Sequence, residues 1–484
     1  MHRTLPDRMV VVSFRFRPNP DDIHGGQDVF VHGLIRALRA QGVAVDVVTF
    51  KGRDDAREAI VEGARVHLLE TPHSDQLTAH EAHQQGTWRL LEVMAEYSAA
   101  VERFLPALRA RAGGRPLVIL SNDIAEAGWV RRARAAGDRV ITFAHVLFTE
   151  FALHDLTLEE FERMNTAARF SFPVRALGRF VLTQKEGRRF LDRAARAMQR
   201  SSFYSVLPGP SRAALEGEHA AFVEADRVLF PSEAMLNKVT ARYERSDATD
   251  AFRVAPWGID LAPTAPDAVT TLARRLGISD TDRVLVTMSR LSPDKRIDAI
   301  IAALARVEDE DPSLAKRTVA VICGRPTFLD DRAYEVRLKR EAARLRHVRV
   351  IFAGYQRGQS RTAHLDLAAR SAGRFLQVGR YEAFGLGIVE ALSRGVPAIT
   401  SDTDGARTIL DARRTPDARG SGVIVDEPIE QSLARAIMDE LSGRSMRSSA
   451  AAKRVAERFT WDAVLREVED TLATIAPRAS TLRS

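Results

Sequence analysis

Two carboxylates, Glu382 and Glu390, stand eight positions apart across the glycine-rich stretch Ala383-Phe384-Gly385-Leu386-Gly387, which runs into the apolar Ile388-Val389. A loop that turns into a helix presents unbonded backbone N–H groups and the positive end of a dipole to whatever lies in front of it, which makes an anion site. One glutamate precedes the turn and the other lies about one turn inside the helix. A phosphate-bearing ligand at the helix start would have a carboxylate at each end. A second segment, Ser289-Arg290-Leu291-Ser292-Pro293-Asp294-Lys295-Arg296, follows an apolar strand pattern and leads into a helix that Ser292-Pro293-Asp294 is suited to start. Two fixed cations there, Arg290 and Lys295, suit a diphosphate. Taken alone, the segment reads first as a capped helix with solvated charges.

The elements that must carry these loops follow from periodicity. Residues 9–16 and 43–50 read as strands around a Gly25-Gly26 loop and a helix over 27–41, whose apolar positions Val29, Phe30, Leu34, Ile35 and Leu38 share a face. Strand, glycine loop, helix, strand is a βαβ unit. Strands at 117–120, 140–143 and 228–230 continue the series, the last followed by a helix over 233–243. A second alternating series places strands at 284–288, 319–322, 348–352, 375–378, 398–400 and 423–425. Its helices fall at 294–307, 333–346, 362–371, 387–393 and 430–441. The expected fold is α/β, two doubly wound domains joined near residues 255–266, where Pro and Gly cluster. Residues 1–255 form the first domain, with a helical insertion at about 151–223, and 256–458 the second. Ligands of open α/β sheets bind beyond the carboxyl ends of the strands, so both glycine loops are expected to face a cleft between the domains.

Composition narrows the class. The 484 residues are 45% hydrophobic and 28% charged, a globular balance with ample core, and no run is long and apolar enough for a membrane span. The N-terminal apolar run is too short for a secretory signal. A single cysteine excludes an intrachain disulfide and fits a reducing, cytoplasmic setting. The net charge of +7 is spread along the chain, and neither zinc-finger spacing nor an RNA-binding signature accompanies it, so nucleic acid is not an expected partner.

The Ser289–Lys295 segment together with Glu382-Ala383-Phe384-Gly385-Leu386-Gly387-Ile388-Val389-Glu390-Ala391-Leu392 resembles the retaining GT-B glycosyltransferases of family GT4. The likeness extends to Gly25-Gly26, Pro231-Ser232-Glu233, Pro256-Trp257-Gly258-Ile259-Asp260, Gly395-Val396-Pro397 and Phe459-Thr460-Trp461. It implies a GT-B enzyme that moves a hexose-like sugar from a UDP- or GDP-type nucleotide sugar to a small-molecule acceptor, without metal or other cofactor. By the same resemblance Arg290 and Lys295 neutralise the leaving diphosphate, and Glu390 accepts from the ribose hydroxyls. Glu382 contacts the donor sugar, and the backbone of Ala383, Phe384, Gly385 and Leu386 holds sugar or phosphate oxygens. Gly25 and Gly26 let the first loop approach the diphosphate. Gly324 and Tyr355 line the donor site, with the base selected near Gly354-Tyr355. His145, after the strand at 140–143, sits where the family carries a histidine near the donor sugar. Residues 459–484 form a last helix that crosses back to the first domain.

The pattern is broken at Trp257 (Asn is usual), Val378-Gly379 (Pro-Ser), Asp404-Gly405 (Gly-Gly), Arg296 (Gly) and the Val after His145, which bears on sugar and acceptor contacts more than on reaction class. Asp402-Thr403-Asp404 reads as a turn, and His80-Glu81-Ala82-His83 lacks the zinc-protease spacing, so no metal is expected. The basic, Phe-bearing stretch 169–200 reads first as a solvated face of the insertion, then as an acceptor lid, and last as a membrane-docking helix. The unusual insertion suggests a specialised acceptor, such as an intermediate of antibiotic or thiol-conjugate biosynthesis; a homodimer is compatible with all of this. The alternatives are a disaccharide or glycan phosphorylase on the same fold and a non-catalytic sugar-nucleotide binding protein.

Overall fold

Short runs of buried Val, Ile and Leu build two largely parallel sheets, as expected where helices cover both faces. In the computed structural model the described residues are 5–19, 25–78, 81, 87–122, 124, 127–135, 137–145, 209–243, 248–260, 263–326, 331–411, 413, 416–444 and 446–475. The basic stretch 169–200, residues 151–208 of the insertion, and His80 and His83 lie outside them. The chain divides into two units, the first comprising Met1–Pro231, Met235–Ala255 and Leu465–Ser484, the second Ser232–Ala234 and Pro256–Val464.

The first unit carries β1 (Arg8–Val12), β2 (Ala44–Phe50), β3 (Glu58–Val61), β4 (Ala64–Leu69), β5 (Val118–Asn122), β6 (Arg139–Phe143), β7 (Arg227–Phe230) and β8 (Phe252–Val254). Their order is β3-β4-β2-β1-β5-β6-β7-β8, and only the β3–β4 pair is antiparallel. Met9 to Val12 are all buried, with Phe30, Leu34, Ile35 and Leu38 of the Gly26–Ala40 helix. The β3 and β8 edges are absent from the sequence reading for a physical reason: β3 alternates exposed and half-buried residues, and β8 has three residues.

The second unit carries β9 (Arg283–Met288), β10 (Thr318–Cys323), β11 (Arg349–Gly354), β12 (Arg374–Gln377), β13 (Ala398–Ser401) and β14 (Gly422–Val425), in the order β11-β10-β9-β12-β13-β14. All pairings are parallel. The chain starts at the centre with β9, builds outward through β10 to β11, then returns to the other side of β9 with β12. That reversal makes a crevice between β9 and β12, the switch point at which open α/β sheets take ligands. One correction concerns the helix after β9. Pro293–Lys295 form a 3₁₀ turn, Arg296 adopts φ +51°, and the α-helix begins at Ile297. Among the described residues no helix is long and apolar enough to cross a membrane.

Candidate functional site

The loop after β9 and the loop after β12 flank the switch point, and they carry the cations and the first glutamate. Arg380 N–H donates to Asp294 O (2.8 Å), which stitches the two loops together. Lys295 Nζ lies 3.3 Å from Glu382 Oε2 and 3.8 Å from an Asp294 carboxylate oxygen, and Arg290 Nη2 donates to Asp294 Oδ2 at 3.1 Å. Gln377, the last residue of β12, donates to the same Glu382 oxygen (2.9 Å). Burial raises the Asp294 carboxyl, but Arg290, Lys295 and the Ser292 hydroxyl overcome it and hold the group at about 2. Burial likewise opposes the charge of Lys295, yet Glu382 and Asp294 raise it above the usual lysine value. The ammonium therefore stays charged, held between two carboxylates.

The second loop is shaped by close backbone approaches. Gly385 takes φ +95°, a conformation that favours glycine, and precedes the helix Leu386–Ser393. The first intrahelical bonds are those of Ile388 and Val389 N–H to Gly385 O, so the Leu386 and Gly387 N–H groups stand at the open end. Gly405 supports this loop from behind: its N–H donates to Glu382 O (2.9 Å), and a Cβ there would lie 2.0 Å from Phe384 O. Gly324 plays the same part beneath the first loop, where a Cβ would lie 1.9 Å from Ser289 O. Tyr355 stacks beneath the Arg325 guanidinium at 4.8 Å.

Glu390, one turn into the helix, is engaged by Arg361 of the Gly358–Arg370 helix, whose Nε donates to Oε2 at 2.7 Å. Sequence reasoning missed Arg361 and Gln377, because polar residues outside a motif carry no periodic signal, and it met Gly405 only as half of a broken Gly-Gly. The Asp402-Thr403-Asp404 triplet is more than a turn: Thr403 Oγ1 accepts from Ala406 N–H and caps the helix Asp404–Ile409, while Arg407 binds Asp402. A cavity of about 660 Å³ lined by Arg283, Arg374 and Pro397 opens at the amino ends of the same strands. Its position is opposite the loops that carry the chemistry, so the strand-end loops define the candidate site.

In the first unit the ends of β1, β5 and β6 carry a hydrogen-bonded chain. His145 Nε2 lies 2.6 Å from Asn122 Oδ1, and Asn122 Nδ2 donates to Ser13 Oγ at 3.1 Å. The amide assignment makes Nε2 the protonated ring nitrogen. His145 is buried against Phe30 (4.8 Å between ring centroids), and that burial, with the nearby Arg15 charge, drops it to about 3. It is a neutral imidazole at neutral pH, not a cation for a phosphate. Gly25 precedes the Gly26–Ala40 helix and binds Asp28 Oδ2 through its N–H (3.2 Å). Among the described residues a Cβ on Gly25 would meet nothing within 4 Å. His73, Glu92 and Glu96 place possible metal donors within 4.8 Å of one another elsewhere in this unit, with His73 Nδ1 2.6 Å from Glu96.

The depressed His145 value fixes the sign of a pH effect. The folded state takes up its proton at about 3 and the unfolded chain at 6.5, so the stability His145 confers is full above 6.5 and is lost as pH falls toward 3. His145→Asn should therefore lose less melting temperature between pH 7 and pH 5 than the wild type, each measured against its own value at pH 7. An equal loss would mean that His145 is not buried neutral. Burial also lowers His219 and His364, which leaves part of the loss in the variant.

Residues 25–257 match the family model described as glycosyl transferase 4-like domain, and residues 269–455 that of glycosyl transferases group 1. A D-inositol 3-phosphate glycosyltransferase of Salinispora arenicola is 29% identical over 285 residues, covering 56% of this chain and 60% of that protein. A GDP-mannose-dependent alpha-(1-6)-phosphatidylinositol dimannoside mannosyltransferase of Mycobacterium tuberculosis is 30% identical over 241 residues, 50% of this chain and 56% of that protein. The chain thus spans little more than half the length of these curated relatives. Among solved structures, sucrose-phosphate synthase of Thermosynechococcus elongatus aligns with a TM-score of 0.64 at 18% identity, over 96% of this chain and 98% of that one. Anabaena HepE in complex with UDP and glucose aligns at 0.58 and 17%, over 96% and 99%. These likenesses show the GT-B fold.

Proposed function

Because the chain belongs to the group 1 glycosyltransferases, we propose that it transfers a hexose-like sugar from a nucleotide-diphosphate sugar to a small hydroxyl-bearing acceptor, with retention at the anomeric carbon. The observation that carries this reading is the pairing, at one switch point, of Arg290 and Lys295 with the open N-terminus of the Leu386–Ser393 helix. Breaking a glycosyl–phosphate bond puts negative charge on the diphosphate and positive charge on the sugar ring. Preorganised cations and helix-end N–H groups stabilise the former at no reorganisation cost. Asp294 and Glu382 hold Lys295 in place beforehand, and an arriving diphosphate displaces its long contact to the Tyr381 carbonyl oxygen (3.5 Å). Glu390 binds the ribose, and Glu382, still beside Lys295, faces the sugar. The leaving phosphate itself takes the acceptor proton, so no protein base is assigned.

The relatives' names suggest where to begin: GDP-mannose as one donor and an inositol phosphate as one acceptor. The test is a thermal-shift panel of UDP, GDP, ADP and TDP sugars, followed by transfer assays on inositol phosphates and on thiol-conjugate or antibiotic intermediates. A donor at about 100 times its dissociation constant adds about 2.7 kcal/mol. One nucleotide class should raise the melting temperature, and Glu390→Gln should shrink that rise. No rise with any of the four, together with no transfer, would sink the reading.

A further inference from the structure

Two arginine–carboxylate pairs join the Gly358–Arg370 helix to the Leu386–Ser393 helix and its cap, and they are built differently. Arg394 grips Asp366 as a fork, Nε to Oδ1 at 2.6 Å and Nη2 to Oδ2, so both carboxylate oxygens are used. Arg361 places both Nε (2.7 Å) and Nη2 on a single oxygen of Glu390, Oε2. Among the described residues nothing bonds to Glu390 Oε1. The fork is the stronger way to tether two helices, and Arg394 already supplies it. Arg361 adds little as a second tether, but it fixes the rotation of the Glu390 carboxylate. The two side chains are 28% and 18% exposed, so the pair is half-buried.

We propose that Arg361 is a positioning residue that determines ribose recognition: by holding Oε2 it presents Glu390 Oε1 to the hydroxyls of a ribonucleoside diphosphate and makes the site select ribose over deoxyribose. The inference rests on the reading of Glu390 as the ribose acceptor. An untethered carboxylate would rotate between solvent and ligand, and part of its binding energy would be lost in ordering it.

The experiment titrates UDP, GDP and ADP, each alongside its 2′,3′-dideoxy counterpart, against the full chain and follows the tightest-binding base. The wild type should prefer the ribonucleotide by about tenfold or more, the scale of one hydrogen bond to a charged group. Arg361→Met should bring that ratio to about threefold or less while the dideoxy affinity changes little. Arg361→Lys should fall between. Arg394→Met, which removes the Asp366 tether and a bond to Thr264, should leave the ratio at the wild-type value. If Arg361→Met destabilises the chain, the Arg361→Met/Glu390→Gln double variant removes the unpaired carboxylate. Its ratio should equal that of Glu390→Gln alone, since the two residues act as one. A wild-type preference that survives unchanged in Arg361→Met, or falls equally in Arg394→Met, would overturn the Arg361 inference alone. No ribose preference in the wild type would remove the Glu390 reading and this inference with it.

Discussion

Lys295→Ala should lower sugar transfer by about 10²–10³-fold, the usual loss for one preorganised donor facing developing charge. The reason lies in its surroundings as much as in its charge. The ammonium is shared between Asp294 at 3.8 Å and Glu382 at 3.3 Å, and removing it leaves two carboxylates facing the proposed diphosphate site. Repulsion is then added to the lost attraction. Arg290→Ala should lose at least about tenfold, and less than Lys295→Ala, because Lys295 bridges to Glu382 on the second loop as well as pairing with Asp294. Single-turnover rates with saturating donor, on variants whose melting temperature lies near the wild type, check both. Rates close to wild type in both variants would mean that the cations are a solvated helix start and that the switch-point site is misassigned.

The second large effect belongs to a residue with no side chain. Gly405→Ala would put a Cβ 2.0 Å from the Phe384 carbonyl oxygen and 2.3 Å from its carbon, and both are backbone atoms that no rotamer change can move aside. The segment 382–385 must shift, or the helix Asp404–Ile409 must retreat from it. The stability cost should be about 1–3 kcal/mol, as for other overpacked sites. The functional cost should be larger, because the displaced segment carries Glu382 and the helix start that would hold the phosphate. Calorimetry for the first and nucleotide-sugar titration for the second would separate the two. Donor affinity unchanged within about twofold would show that this loop does not bear on binding.

The second unit was written plainly into the sequence because its strands are short continuous apolar runs, the four inner ones buried on both faces. Each of the six predicted strands overlaps an observed one. The loop after β9 was harder. Ser292-Pro293-Asp294 is a legitimate helix start, but here it opens a 3₁₀ turn, and Arg296 at φ +51° breaks the path before the α-helix begins. Arginine gives no local sign of a left-handed conformation, so the three-residue displacement had no warning in the sequence. Glu382 and Glu390 stood out in the sequence because they bracket the Gly385-Leu386-Gly387 loop, and Arg290 and Lys295 because they follow a strand and flank a helix start. Arg361 was not legible, since one arginine on a polar helix face looks like any other. Its meaning appears only when the helix after β11 is laid beside the helix after β12. Asn122 was hidden for the same reason: it ends an apolar strand, and only the β1-β5-β6 order brings it between Ser13 and His145.

The division of the chain has a bearing on its biosynthesis. The first unit is not closed by its own stretch of sequence. Arg227 donates to the Thr474 carbonyl oxygen at 2.7 Å and to its hydroxyl at 3.1 Å, and Arg253 lies 3.6 Å from Glu467. These partners are translated only after the whole of the 256–464 segment. The unit that starts first therefore finishes last, and its late contacts span 247 positions of chain. Contacts so distant in sequence form slowly, and until they do the nascent first unit waits with apolar surface uncovered while the ribosome completes the second. For this chain, chaperone dependence and yield should be governed by residues 465–475, well away from either glycine loop.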